Sequence, residues 1–121
     1  MAVKKRNTTS KPKVKVQDLR KEAGEAHNYE LMLAIRPMLG EDQRLEAQKY
    51  IQEALEKLGG KFTQTDVWGK RHLAYEIKGQ DEGYYIVYKC EIPKNHTQKF
   101  DKYLSMNDDV LRHIIINEKD L

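Results

Sequence analysis

The run Tyr-Tyr-Ile-Val-Tyr-Lys-Cys-Glu-Ile at residues 84–92 constrains this 121-residue chain more than any other segment. Tyr84, Ile86, Tyr88, Cys90 and Ile92 recur at period two, and Pro93 ends the run. Aromatic and β-branched residues at that period make a strand with one buried face. Residues 61–77 hold a second long run of the same character, in which Gly69 reads as a bulge. Gly79-Gln80-Asp81-Glu82-Gly83 reads as the turn between them, so the two runs pair as an antiparallel hairpin.

The other elements arrange themselves around that hairpin. Tyr29, Leu31, Leu33 and Ile35 alternate in a strand over 29–36, stopped by Pro37. A helix follows over 41–58, with Glu41 and Asp42 at its positive end, and Leu45, Ile51, Leu55 and Leu58 are taken as its apolar face. Gly59-Gly60 terminates it. Asn95 or Thr97 caps a second helix that carries Phe100, Tyr103 and Leu104 and ends near Met106. Asn107-Asp108-Asp109 is a turn, and residues 110–117 are the last strand. The order β-α-β-β-α-β defines an α+β chain of the ferredoxin-like split type: a four-stranded antiparallel sheet with two helices on one face. The folded domain spans 29–117, and 118–121 is a short tail.

Charge is distributed unevenly. Residues 1–28 hold eight Lys/Arg against three acids, whereas residues 29–121 hold 14 against 16. A basic extension carrying Lys4, Lys5, Arg6, Lys11, Lys13 and Lys15 thus precedes a nearly neutral body, a pattern suited to nucleic acid. Residues 1–16 lack aromatics and are expected to be disordered alone; residues 17–27 have weak helical character interrupted by Gly24. No apolar run reaches membrane-spanning length, and the start lacks the apolar stretch of a secretory signal. A single cysteine excludes an internal disulfide.

Chemistry-bearing constellations do not stand out. His27, His72, His96 and His113 lack metal-ligand spacing, and no glycine-rich phosphate loop opens a helix. Cys90 lies in phase with apolar strand residues, as a structural thiol does. Asp108-Asp109 reads as a turn, and His113 fits either a surface contact or a position facing the helices. No catalytic residue, metal or cofactor is expected.

A binding surface is expected instead. With helices on one face, the weaker phases of three strands place Met32, Ala34, Tyr85, Val87, Ile114 and Ile116 on the open face. Arg36, Lys89 and Arg112 share that phase. Cations around an apolar patch suit a protein partner, an RNA, or both, with a dimer interface or scattered exposed apolar residues as the plainer reading. Lys70-Arg71-His72 forms a compact basic cluster after Gly69, unless Asp66 pairs with Arg71 across the bend.

These residues resemble a known family. Tyr29-Glu30, Arg36-Pro37, Gly59-Gly60, the string Trp68-Gly69-Lys70-Arg71-His72-Leu73-Ala74-Tyr75, Gly83-Tyr84-Tyr85 and Asp109-Val110-Leu111-Arg112-His113 are similar to the bacterial-type small-subunit ribosomal protein number six, over about residues 29–117. The resemblance implies a non-enzymatic component of the small subunit that binds the central domain of its rRNA in the platform. It implies pairing with small-subunit ribosomal protein number eighteen. Carried over, Lys70, Arg71 and Arg112 are rRNA candidates, joined by His72, Lys89 and the six cations of the extension. The apolar open-face residues are candidates for the protein partner. His72 replaces a frequent arginine or lysine, and Glu76 a frequent proline. The long extension is atypical and suits contacts with other ribosomal components. The ribosome implied is cytoplasmic, with a plastid or mitochondrial ribosome as the alternative. The competing functional reading is an RRM-like RNA-binding module outside the ribosome, which needs exposed aromatics on two central strands within a Lys/Arg-Gly-Phe/Tyr-rich motif; Tyr85 is one candidate, but no matching motif appears. A small enzyme on this fold would need a pocket with paired acid/base or phosphate-cradling residues.

Overall fold

The computed structural model describes residues 16–37 and 40–120. Strand β1 spans Ala26–Ile35, helix α1 Glu41–Lys57, β2 Lys61–Ile77, β3 Gln80–Pro93, α2 Thr97–Met106 and β4 Val110–Asn117. Single 3-10 turns lie at Arg20–Glu22, Lys94–His96 and Glu118–Asp120. The strands form one sheet in the order β2-β3-β1-β4, and each neighbouring pair is antiparallel. This is the split β-α-β-β-α-β arrangement that the order of elements implies.

The period-two phases sort as the alternation requires. Tyr29, Leu31, Leu33 and Ile35 from β1 join Ile86, Tyr88, Cys90 and Ile92 from β3 in the core. The helices cover them with Ile51, Leu55, Leu58, Phe100, Tyr103 and Leu104. Each fully buried Ile, Leu or Phe contributes about 1.5–3 kcal/mol relative to exposure, so this face sets the register of the sheet. Leu45 is a correction: it is 58% exposed, and Ala47 and Ala54 are buried in the helix's apolar face. Leu45 lies six positions from Ile51, a rotation of about 240° that turns it away from the core.

Local chemistry ends each element. Gln43 Oε1 accepts the Gly40 N–H at 3.0 Å where α1 begins, and Glu41 and Asp42 occupy its first turn. Gly60 N–H returns to Leu55 O where α1 ends. A Cβ on Gly60 would lie 2.5 Å from Glu91 O, so only glycine fits there. The hairpin turn is tighter than the five residues expected: β2 and β3 are joined by Lys78 and Gly79 alone, at φ 50° and 79°. Two successive positive φ angles match the right-handed twist of the strands. The bulge expected at Gly69 is present, with φ 82° and a register shift between Val67 and Gly69.

The first strand starts three residues before Tyr29. Ala26, His27 and Asn28 pair with Pro93, Ile92 and Glu91, because β3 offers backbone partners that far. Residues 16–25 form a strap along the helix layer, with Val16 and Leu19 packed against the core. Among residues 17–27, the expected weak helix reduces to the 3-10 turn Arg20–Glu22. The expectation of disorder in residues 1–16 falls on segment 1–15, outside the described residues, except for Val16.

Candidate nucleic-acid and protein interface

Register fixes what the uncovered sheet face presents. Ile114, Met32, Val87 and Asp66 lie opposite one another across the four strands. The adjoining rows are Arg112, Ala34, Tyr85 and Gly69 on one side and Ile116, Glu30, Lys89 and Gln64 on the other. Met32, Tyr85, Val87, Ile114 and Ile116 are half-buried and contiguous. Ala34 is only 1% exposed, so it backs this patch and does not offer surface. Arg112 and Lys89 are exposed in the flanking rows. An apolar centre with charge at its edges is how protein interfaces are commonly built. Arg36 leaves this set: its Nε donates to Asp108 O at 3.0 Å and braces the turn before β4.

The β2–β3 hairpin continues past the end of β1. Tyr84 is the last β3 residue paired with β1, so residues 71–83 form an arm beyond the sheet. The arm curls back, and Lys78 Nζ donates to Val110 O at 2.9 Å at the start of β4. The Lys70-Arg71-His72 cluster does not form one patch. Arg71 pairs with Gly83, in the phase of Tyr85 and the open face. Lys70 and His72 pair with Tyr84 and Glu82, in the opposite phase. His72 Nε2 lies 3.9 Å from Glu82 Oε2. Asp66 does not take the Arg71 guanidinium; it accepts the Trp68 indole N–H at 3.1 Å, while Arg71 lies 5.6 Å from the Trp68 ring centroid. The bulge thus positions an aromatic surface and a guanidinium together, within cation–π reach.

The structure therefore brings Arg71, Lys89 and Arg112 to the open side and sends Lys70 and His72 to the other side of the arm. Lys4, Lys5, Arg6, Lys11, Lys13 and Lys15 lie outside the described residues. Sequence reasoning missed Trp68 and Tyr75 as surface aromatics; they are 44% and 64% exposed. The available signal was the bulge glycine beside Trp68, since a bulge re-aims neighbouring side chains. His113 faces the helices, where its Nε2 lies 2.8 Å from Asp101 Oδ1 and ties β4 to α2. Cys90 is buried, its Sγ donating to Tyr29 O at 3.7 Å, and burial pushes its thiol up to about 12. Among the described residues no group of His, Cys, Asp and Glu could hold a metal ion, and no helix is long and apolar enough to cross a membrane.

A split β-α-β-β-α-β sheet with one layer of helices, an uncovered apolar face and a hairpin arm that carries Arg71 defines a class of small binding domains. Within that class the relatives are specific. The family model for Ribosomal protein S6 matches residues 28–117. The Small ribosomal subunit protein bS6 of Carboxydothermus hydrogenoformans is 39% identical over 90 residues, which cover 74% of this chain and 94% of that protein. Its counterpart in Bifidobacterium longum is 38% identical over 93 residues, covering 77% and 96%. The crystal structure of 30S ribosomal protein S6 from Thermotoga maritima superposes with a TM-score of 0.71 at 25% identity, over 79% of this chain and 91% of that one. The chain belongs to the ribosomal protein S6 family, a family of structural proteins of the small ribosomal subunit and not of enzymes.

Proposed function

We propose that this chain binds the central domain of small-subunit rRNA, in the platform, together with small-subunit ribosomal protein eighteen. The observation that carries the proposal is the pairing of a contiguous apolar sheet face with Arg71, Lys89 and Arg112 around it. The apolar rows through Met32, Tyr85, Val87, Ile114 and Ile116 suit the protein partner. The cations suit phosphates, which contribute most of the affinity for RNA. Lys70 and His72 contact RNA from the other side of the arm. The bacterial relatives support a cytoplasmic ribosome as the site of action.

The test is a titration of a central-domain rRNA fragment across a salt series, with and without the partner protein. The expected result is tight binding that requires the partner and weakens steeply with salt. Tight binding to short single strands without the partner overturns the proposal in favour of an RRM-like module. That module needs aromatic stacking on the central strands, where the open face offers Tyr85 on β3 among the described residues; Trp68 and Tyr75 lie on β2, at the sheet edge and on the arm.

A further inference from the structure

The charges on the open sheet face are ordered in a way that the apolar patch alone does not require. Glu30 on β1 and Lys89 on β3 sit side by side in one row of the two central strands. Met32 and Val87, both half-buried, form the next row on the same strands. At the outer strands, Arg112 is exposed on β4 and Asp66 is exposed on β2. The β4–β1 half of the face therefore carries Glu30 and Arg112, and the β3–β2 half carries Lys89 and Asp66. Each charge on one half has its opposite on the other half.

Two copies can stack these faces about a two-fold axis parallel to the strands, midway between β1 and β3. That axis lays β1 over β3 of the second copy, and β4 over its β2. Glu30 then meets the second copy's Lys89, and Met32 meets its Val87, each contact occurring twice as an isologous interface requires. Arg112 comes over the second copy's Gly69, with Asp66 and Trp68 to either side of that position within the length of an arginine side chain. An axis across the strands would instead lay each strand on its own copy, setting Glu30 over Ala34 or Glu30, and Lys89 over Tyr85 or Lys89. Only the first arrangement pairs opposite charges around an apolar centre. Four strands about 4.8 Å apart give a face of about 400 Å² in plane on each copy, at the low end of specific interfaces, so the pairing is readily reversed.

We infer that the free chain pairs with a second copy of itself through the open sheet face, and that the partner protein displaces that copy. The apolar face is thereby covered until the partner arrives. The self-pairing stands on the register and the charges; only its displacement rests on the sheet-face reading above.

The experiment is sedimentation of the full chain without RNA, from micromolar to millimolar concentration, with the emission of Trp68, the sole tryptophan, followed in parallel. The expected result is a reversible rise from monomer to dimer mass, with a blue shift as the 44% exposed indole is covered. Glu30→Lys and Lys89→Glu alone should each weaken dimerisation about tenfold or more, because like charges then face each other. The two exchanges together should restore it. Arg112→Glu, at an exposed position, is a further variant that should weaken it. A chain that stays monomeric throughout overturns the inference, as does a dimer of equal strength in all three single variants, or a double exchange that stays monomeric. Added partner protein should replace the dimer with a one-to-one complex, and a complex that holds both the partner and the second copy overturns the displacement. A dimer that persists because the partner does not bind at all removes the sheet-face reading and leaves the self-pairing standing.

Discussion

Cys90, Tyr88 and Tyr103 sit in the core as neutral groups, and burial raises the pKa of all three. Cys90 rises from 9.0 to about 12 and Tyr103 from 10.0 to about 12. Each is neutral when protonated, so above its ordinary value the unfolded chain releases the proton first. Stability is therefore full below about pH 9 and falls as pH rises toward 12. Urea midpoints measured through this window should decrease, and Cys90→Ala should flatten the first part of the decline. A constant midpoint to pH 11 would contradict the burial assigned to these groups. The Cys90 thiol should also resist alkylation until the chain unfolds. Gly60 shows a different constraint at the same level. Its missing side chain leaves room for Glu91 O and Leu55, so Gly60→Ala should cost about 1–3 kcal/mol by overpacking. Equal denaturation midpoints for the variant and parent would contradict that contact. Much of this was legible beforehand: the period-two phase put Cys90 inside, and the glycine pair marked a helix end. The use of Gly60 to admit a β3 carbonyl was not legible, because the contact joins residues 31 positions apart.

Strands and helices emerged where the period was clear, and the differences arose where long-range backbone contacts decide. Residues 16–25 carry no sustained apolar repeat, so they read as extension, yet Lys57 O and the Asn95 amide hold them down. The same logic lengthened β1 to Ala26, since β3 extends to Pro93. The basic cluster after Gly69 was readable as composition but not as a surface, because adjacent strand residues point to opposite faces. That period is what separates Arg71 from Lys70 and His72. If the strap is a structural element, Leu19→Ala should lower stability by about 1–2 kcal/mol through lost burial. Asn95→Ala should lower it by about 1 kcal/mol through lost hydrogen bonds. Both should speed hydrogen exchange at the Leu19 amide, whose N–H is bonded to Lys57 O. Thermal and exchange measurements on the two full-length variants check this, and unchanged behaviour in both would reduce the strap to a passive contact.

The whole molecule has two dissimilar sides. The helix side closes the core and carries the strap, and the sheet side leaves five half-buried apolar residues uncovered beside three cations. In the proposed function, the sheet side recognises the partner protein and central-domain rRNA. Arg71→Ala should then weaken rRNA binding and reduce the magnitude of its salt slope by about 1 without changing stability. The same slope in variant and parent would remove Arg71 from the interface. Side chains on the two faces belong to the same strands, so backbone probes distinguish them poorly and methyl groups distinguish them well. The most direct measurement is the methyl NMR spectrum of the full chain, free and bound to the partner protein with the rRNA fragment. The methyls of Met32, Val87, Ile114 and Ile116 should shift or broaden, while those of Ile51 and Leu55 on the buried face of α1 hold their positions. A complex that forms while the four open-face methyls stay unchanged would contradict the proposed function.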